Sequence, residues 1–287
     1  MGHRRMGVRE IPAAPPAHLR FRRRVKIVAT LRDLWRAREL VRALAERQLR
    51  ARYKQAILGF AWALIPPVVL MVVLSIFVQR VVDIPTGGVP YPLFSYVALV
   101  PWTFFATSVA AASGSILTSM ELINKIYAPR EVFPLASILT SGVDALVGLL
   151  ALVFLFLVYT FVPEPTSIWV PVLAIVQLAF TVGICLTLSA LVVFLRDLRH
   201  AVPVIVQLGL FATPIAYGMD QIPKSLRLPY SAINPLAPVI DGYRRTVLFG
   251  EPPQFELLLA GAVTSFVLLA AGFLIFKRLE AGFADVT

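Results

Sequence analysis

Six apolar stretches, at roughly residues 57–79, 93–118, 135–161, 168–195, 201–218 and 257–276, constrain this chain more than any other feature. Each approximates the ~20 residues that an α-helix needs to cross a hydrocarbon core. A membrane β-barrel would instead need strands of about 10 residues alternating polar and apolar, and these runs are continuous. With 58% hydrophobic and 15% charged residues the chain lies far from soluble domains, where about a quarter of residues are charged. The expected fold is an all-α integral membrane protein: six transmembrane helices, an amphipathic interfacial helix before them, and short re-entrant outer helices before the last span.

The net charge of +11 is confined to one end. Residues 1–54 hold 16 Lys/Arg against 4 Asp/Glu, and the remaining residues hold 11 against 12. Beside a first membrane span, such a segment reads as a cytoplasmic anchor facing anionic lipid. No nucleic-acid partner is expected, because no basic groove interleaved with aromatics accompanies the charge. Residues 1–32, with Pro12, Pro15, Pro16 and the cluster Arg22-Arg23-Arg24, read as a basic, largely disordered cytoplasmic tail without a cleavable signal peptide.

Between Asp33 and Lys54, Leu34, Ala37, Val41, Leu44, Ala45 and Leu49 recur at helical spacing, with Arg36, Glu39, Arg42, Glu46, Arg50 and Lys54 on the other face. The pattern predicts an amphipathic helix over 33–54, capped by Asp33, lying in the membrane plane with Trp35 and Tyr53 at headgroup depth. A soluble helix packed on a partner is the other reading. Pro66-Pro67 removes two backbone donors and predicts a kink in the first span. In the second run Phe94, Tyr96, Trp102, Phe104 and Phe105 fill the outer half. They form either an interfacial belt or a face that stacks sugar rings, and the residues alone leave both open.

Basic residues set the topology. With the N-terminus inside, the inner connectors 119–134 and 196–200 carry Lys125, Arg130, Arg196 and Arg199, and Lys277 and Arg278 open a cytoplasmic tail, 277–287; the outer connectors 80–92 and 162–167 carry Arg80 alone. Asn124 to Pro134 is a charged island between two apolar runs, a place where a soluble partner could grip a membrane protein. Residues 219–256 hold six prolines and yet are too apolar for a solvated loop. Short helices dipping into the outer leaflet fit, and such backbone is tolerated only where protein buries it or it lines a cavity.

Chemistry is sparse. No Gly-x-x-x-x-Gly-Lys-Ser/Thr phosphate loop occurs, so the chain by itself is not expected to bind a nucleoside triphosphate in the usual way. The single Cys185 and the scattered His3, His18 and His200 predict neither a disulfide framework nor a metal site. Asp144 is the only acidic residue well inside a span. Intramembrane carboxylates are functional candidates, although one alone makes no proton relay.

An ordered set of short motifs carries a resemblance. It comprises Arg52-Tyr53-Lys54-Gln55 with Leu58-Gly59-Phe60-Ala61-Trp62, Val100-Pro101-Trp102-Thr103-Phe104-Phe105 and the island. It continues through Phe194-Leu195-Arg196-Asp197 with His200, Thr213-Pro214-Ile215, and Asn234-Pro235-Leu236 leading to Tyr243-Arg244. Spread over about residues 31–278, the set resembles the type-2 ABC transporter permeases that export lipid-linked polysaccharides such as O-antigen, teichoic acid and capsule. Ala128 departs from it, standing where the family usually has Phe.

The resemblance implies a six-span domain over 57–276 that pairs with a second copy of itself in a bacterial inner membrane. It implies two copies of a separate ATPase, which would hold ATP and magnesium, gripping a coupling segment, 119–134, at Asn124, Lys125, Tyr127, Pro129, Arg130 and Glu131. An outer gate over 219–256 would include Asn234, Pro235 and Tyr243. No catalytic residue and no cofactor are expected on this chain. The cargo would be a polyprenyl-diphosphate-linked polysaccharide: O-antigen, teichoic acid, capsule or cell-wall galactan. On this analogy Arg47, Arg50, Arg52 and Lys54 meet the carrier diphosphate, and the aromatics of the second run line the glycan channel.

Other classes fit less well. A type-2 ABC exporter of a drug or small lipid is the alternative within transport. An intramembrane glycosyl- or prenyltransferase would need convergent carboxylates, and only Asp144 is at hand. A secondary transporter would show two similar halves and paired intramembrane charges, and the sequence shows neither.

Overall fold

The computed structural model describes residues 27–54, 59–77, 85–123, 125 and 128–283. All regular structure among them is helical. Two amphipathic helices, α1 (Ile27–Arg36) and α2 (Arg38–Tyr53), precede α3 (Ile65–Phe77). Next come α4 (Tyr91–Ser113) and two single turns that prolong it, α5 (Ser115–Thr118) and α6 (Met120–Ile123). The remainder comprises α7 (Val132–Val158), α8 (Val170–Phe194), α9 (Leu198–Ala212), α10 (Lys224–Ile233), α11 (Leu236–Leu248) and α12 (Phe255–Leu279).

Among the described residues, four helices are long and apolar enough to cross a membrane: α4, α7, α8 and α12. Of these α4 is the central post, buried over most of its length and packed by α3, α7, α8, α9 and α11. The others turn apolar faces outward. On α7, Leu150, Phe154 and Leu157 are exposed, as expected of a helix whose solvent is lipid. Helices α8 and α12 form the closest pair. A Cβ on Gly183 would lie 2.7 Å from the Leu268 backbone, so only glycine lets the two backbones approach this far.

Two apolar runs yield helices offset from the expected bounds: α3 begins only at Ile65, and α9 spans 15 residues, Leu198–Ala212. Pro66 and Pro67 do not kink the first of them. They occupy the first turn of α3, where N–H groups have no intrahelical acceptor in any case, and the chain bends before them, in the 3₁₀ turn Gly59–Ala63. The fifth run stops at Ala212. Thr213 precedes Pro214, which disfavours the helical region, and it is extended at φ −108°, ψ 142°.

At the amino end, Asp33 is no cap. It lies inside α1, which begins at Ile27, within the segment expected to be tail, and its carbonyl accepts the Ala37 N–H at 2.9 Å. Ile27 and Leu31 extend the apolar spacing of Leu34 upstream, and the helix follows them. The helix expected over 33–54 is divided at Ala37. Its second part, α2, packs on α7 through buried Leu44 and Ala45.

Candidate functional site

The carboxyl end of α2 meets the middle of the bundle at Asp144. Arg52 Nη1 lies 2.5 Å from Asp144 Oδ2, and the Tyr53 hydroxyl donates to Oδ1 at 2.7 Å. Burial and then the Asp144 carboxylate push the Tyr53 phenol above its usual range, so it stays a neutral donor. Tyr53 also packs on Phe60, ring centroids 4.5 Å apart with the planes tilted by 36°. Arg52, Tyr53 and Asp144 wall a cavity of about 630 Å³ between the 3₁₀ turn, α3, α4 and α7, whose lining also includes Trp62, Pro66, Pro67, Thr103, Phe104 and Thr107. An ionic corner in a largely apolar recess suits an amphiphile with a polar head.

The basic residues expected to act together are distributed. Arg50 pairs with Glu46 at 3.0 Å on an exposed face, and Lys54 is exposed. Arg47 instead borders a second cavity, of about 510 Å³, with Gln48, Thr118, Ser119, Glu121 and Lys125. Of the island, Asn124 and Tyr127 lie outside the described residues. Lys125 is exposed and Pro129 half-buried. Arg130 and Glu131 turn inward. Arg130 donates to the Glu280 carbonyl at 2.5 Å and lies over the Phe283 ring; Glu131, 1% exposed, pairs with Lys277 at 2.5 Å.

The aromatics of the second run form no open surface within the chain. Phe94, Tyr96, Trp102 and Phe105 are buried, so neither the belt nor the sugar-stacking face describes them here. Phe105 stacks on Phe180 at 5.3 Å, Trp102 packs against Gly209, and the Tyr96 hydroxyl reaches the Gly148 carbonyl at 3.4 Å. Phe104 faces the cavity beside Asp144. The cause is the position of α4: a central helix has no free face to give to a belt.

Past α9 the chain unwinds over residues 213–217, and side chains satisfy the freed carbonyls. Arg244, 1% exposed, donates to the carbonyls of Phe94 at 3.0 Å, Pro214 at 2.7 Å, Tyr217 at 2.8 Å and Ile215. Its guanidinium lies 3.8 Å from the Phe94 ring centroid. Burial pulls its pKa down to about 9, which still leaves it charged near neutral pH. Asn234 Nδ2 donates to Thr213 Oγ1 at 2.9 Å and to the Ala212 carbonyl at 3.3 Å, and the Tyr230 hydroxyl also binds that carbonyl. Pro235 seats α11 against α12 at Gly261. The Tyr243 hydroxyl bonds Gln177 Oε1 at 3.2 Å, and Gln177 Nε2 bonds the Pro101 carbonyl at 2.7 Å. Residues 219–256 therefore form two short helices pinned to α4, α8, α9 and α12.

Against known proteins, a family model described as ABC-2 type transporter matches residues 39–248. The chain belongs to the ABC-2 type transporter family. It is 31% identical over 262 residues to the O-antigen export system permease protein RfbA of Myxococcus xanthus, covering 90% of this chain and 99% of the relative. A protein of the same name from Klebsiella pneumoniae is 30% identical over 249 residues, 86% and 95% of the two chains. The polysialic acid transport protein KpsM of Escherichia coli is 24% identical over 248 residues, covering 84% and 93%.

Three features of this ABC-2 chain escaped sequence reasoning. Lys277 and Glu280 engage the island from about 150 residues away. Gln177, a polar residue in the middle of an apolar run, was a signal left unread. Arg244 was visible as a motif residue, yet its role as a carbonyl clamp depends on an unwinding that only the fold displays.

Proposed function

We propose that this ABC-2 chain is the membrane permease subunit of an ATP-driven exporter that carries a polyprenyl-diphosphate-linked polysaccharide outward across a bacterial inner membrane. The observation that carries this reading is a likeness to O-antigen export permeases that runs over nearly the whole length of both chains. A drug exporter of the same family would share the family match without that particular likeness.

In this reading α3 and α9, each with its flanking apolar residues, complete six spans, and α1 and α2 lie in the inner membrane surface with both termini cytoplasmic. A second copy completes the channel. Two copies of a separate ATPase hold ATP and magnesium and bear on the segment 119–134. Residues 219–256 close the outer end, and Asn234, Tyr230 and Arg244 hold them shut against the unwound end of α9. The carrier diphosphate is met by Arg47, Arg52 and Lys54, since charge-assisted hydrogen bonds to phosphate suit guanidinium and ammonium groups.

Deleting the gene and labelling polysaccharide on intact cells tests the reading. Loss of surface glycan with lipid-linked glycan retained in the inner leaflet is the expected result. An intact surface coat with heightened drug sensitivity would sink it. Joint replacement of Arg47, Arg52 and Lys54 by Gln should reduce export while the ATPase remains bound, and unchanged export would remove the diphosphate assignment.

A further inference from the structure

The connector between α6 and α7 is attached to a helix far from it in sequence. Glu131 immediately precedes α7, and Lys277 stands in the last turn of α12. A carboxylate at a helix amino end and an ammonium at a carboxyl end are each favoured there. Lys277 is shared with Glu280 at 2.8 Å, and Glu280 in turn presents its carbonyl to Arg130. Lys277 thus bridges two carboxylates, while Arg130 holds the Glu280 main chain and lies over Phe283, which packs on Phe276 and Phe194. Away from this clasp the main neighbours of the two helices differ: α7 packs chiefly on α4 and α2 and touches α8 only lightly, whereas α12 packs chiefly on α8 and α10.

We propose that Glu131 and Lys277, braced by Arg130 and Glu280, form the joint through which movement of the segment 119–134 reaches α12 and α8. The proposal rests on reading that segment as the contact of an ATPase. A desolvated ion pair that loses one partner strands the other, so it holds a single geometry and acts as a strut. An exposed pair such as Arg50–Glu46 does not, because water replaces either partner. Past the joint the load passes to α8, since at Gly183 the backbones of α8 and α12 are in direct contact. Helices α8 and α12 then travel with the start of α7 instead of lagging behind it. Glu131 and Lys277 are positioning residues: they touch no cargo and set what moves.

The test uses the full chain co-expressed with its ATPase, with nitroxide labels at the exposed positions Leu150 of α7 and Val267 of α12. The distance between labels is measured with and without ATP and vanadate, beside ATP turnover and surface polysaccharide on complemented cells. In the wild type the distance should be the same in both states. In Glu131→Gln and Lys277→Gln it should change with nucleotide, with turnover retained and export down about tenfold, a size usual for coupling residues. Lys277→Arg, which keeps the charge, should retain export. Where Glu131→Gln does not accumulate, the less confined Lys277→Gln carries the test. A nucleotide-independent distance in Lys277→Gln, or an equal loss of export in Lys277→Arg, overturns the joint. Absence of the ATPase from the wild-type preparation overturns the coupling reading itself, so the two failures are distinct.

Discussion

Arg52 and Asp144 meet at 2.5 Å across 92 residues of sequence, and their contact ties the end of α2 to the membrane helix α7. The Asp144 side chain is 11% exposed and that of Arg52 41%. The pair therefore falls between exposed ion pairs, worth ~0.2–1 kcal/mol, and buried ones, whose rupture costs ~3–5 kcal/mol. Asp144→Asn should destabilise the purified chain by about 1–2 kcal/mol, lowering the thermal midpoint in detergent by a few degrees. The same substitution in an Arg52→Gln background should have almost no effect. Equal losses in both backgrounds would show that the two side chains are not coupled.

Arg244 offers a sharper case. Its guanidinium satisfies four carbonyls at once, and a lysine, with three donors on one nitrogen, cannot reproduce that fork. Each buried carbonyl left without a donor costs about 1–3 kcal/mol. Arg244→Lys should therefore lose at least about 3 kcal/mol, and Arg244→Met more, seen as low yield and early unfolding. A wild-type melting curve for Arg244→Lys would mean that water replaces the guanidinium and that the segment 213–217 is not dry.

Length and continuity of apolar residues made α4, α7, α8 and α12 legible, because nothing else explains more than twenty such residues in a row. The late start of α3 and the early stop of α9 were written in Pro66-Pro67 and in Thr213-Pro214, whose local effects outweigh hydropathy at those points. The aromatics of α4 were misread for a different reason. Periodicity reports that a helix is apolar all round, and it is silent on whether lipid or protein surrounds it. Arg130 and Glu131 looked free because their partners, Lys277 and Glu280, lie at the other end of the chain. Contacts of that range are a property of the fold.

Asp241, on α11, gives a pH signature. Burial raises its pKa to about 6, against the pull of Arg245 and Arg244. A carboxyl whose folded pKa exceeds its unfolded value binds its proton more tightly in the folded chain. Stability contributed by this group is thus greatest where it is protonated and falls as pH rises from about 4 through about 6. At pH 7 the ionised form costs up to about 3 kcal/mol, taking 1.36 kcal/mol for each pKa unit. Asp241→Asn should melt above the wild type at pH 7, and the gap should narrow as pH falls below 6. A gap that is constant across pH 4.5–7.5 would place the benefit outside the titration of this group.

The α8–α12 contact supports a comparison between two glycines of similar helical setting. A Cβ on Gly272 would collide with the Gly183 carbonyl and lie 2.8 Å from Thr187 Oγ1, whereas a Cβ on Gly142 would meet nothing nearer than Phe104 at 3.9 Å. Alanine favours a helix over glycine by about 1 kcal/mol at either position. At Gly142 that gain should stand, leaving the variant neutral or slightly more stable. At Gly272 backbone meets backbone with no flexible side chain to give way, and overpacking of about 1–3 kcal/mol should outweigh the gain. Melting curves of the two alanine variants decide it. If Gly272→Ala matches Gly142→Ala, α8 and α12 can separate at no cost, and they could not then carry load from the Glu131–Lys277 joint as one body.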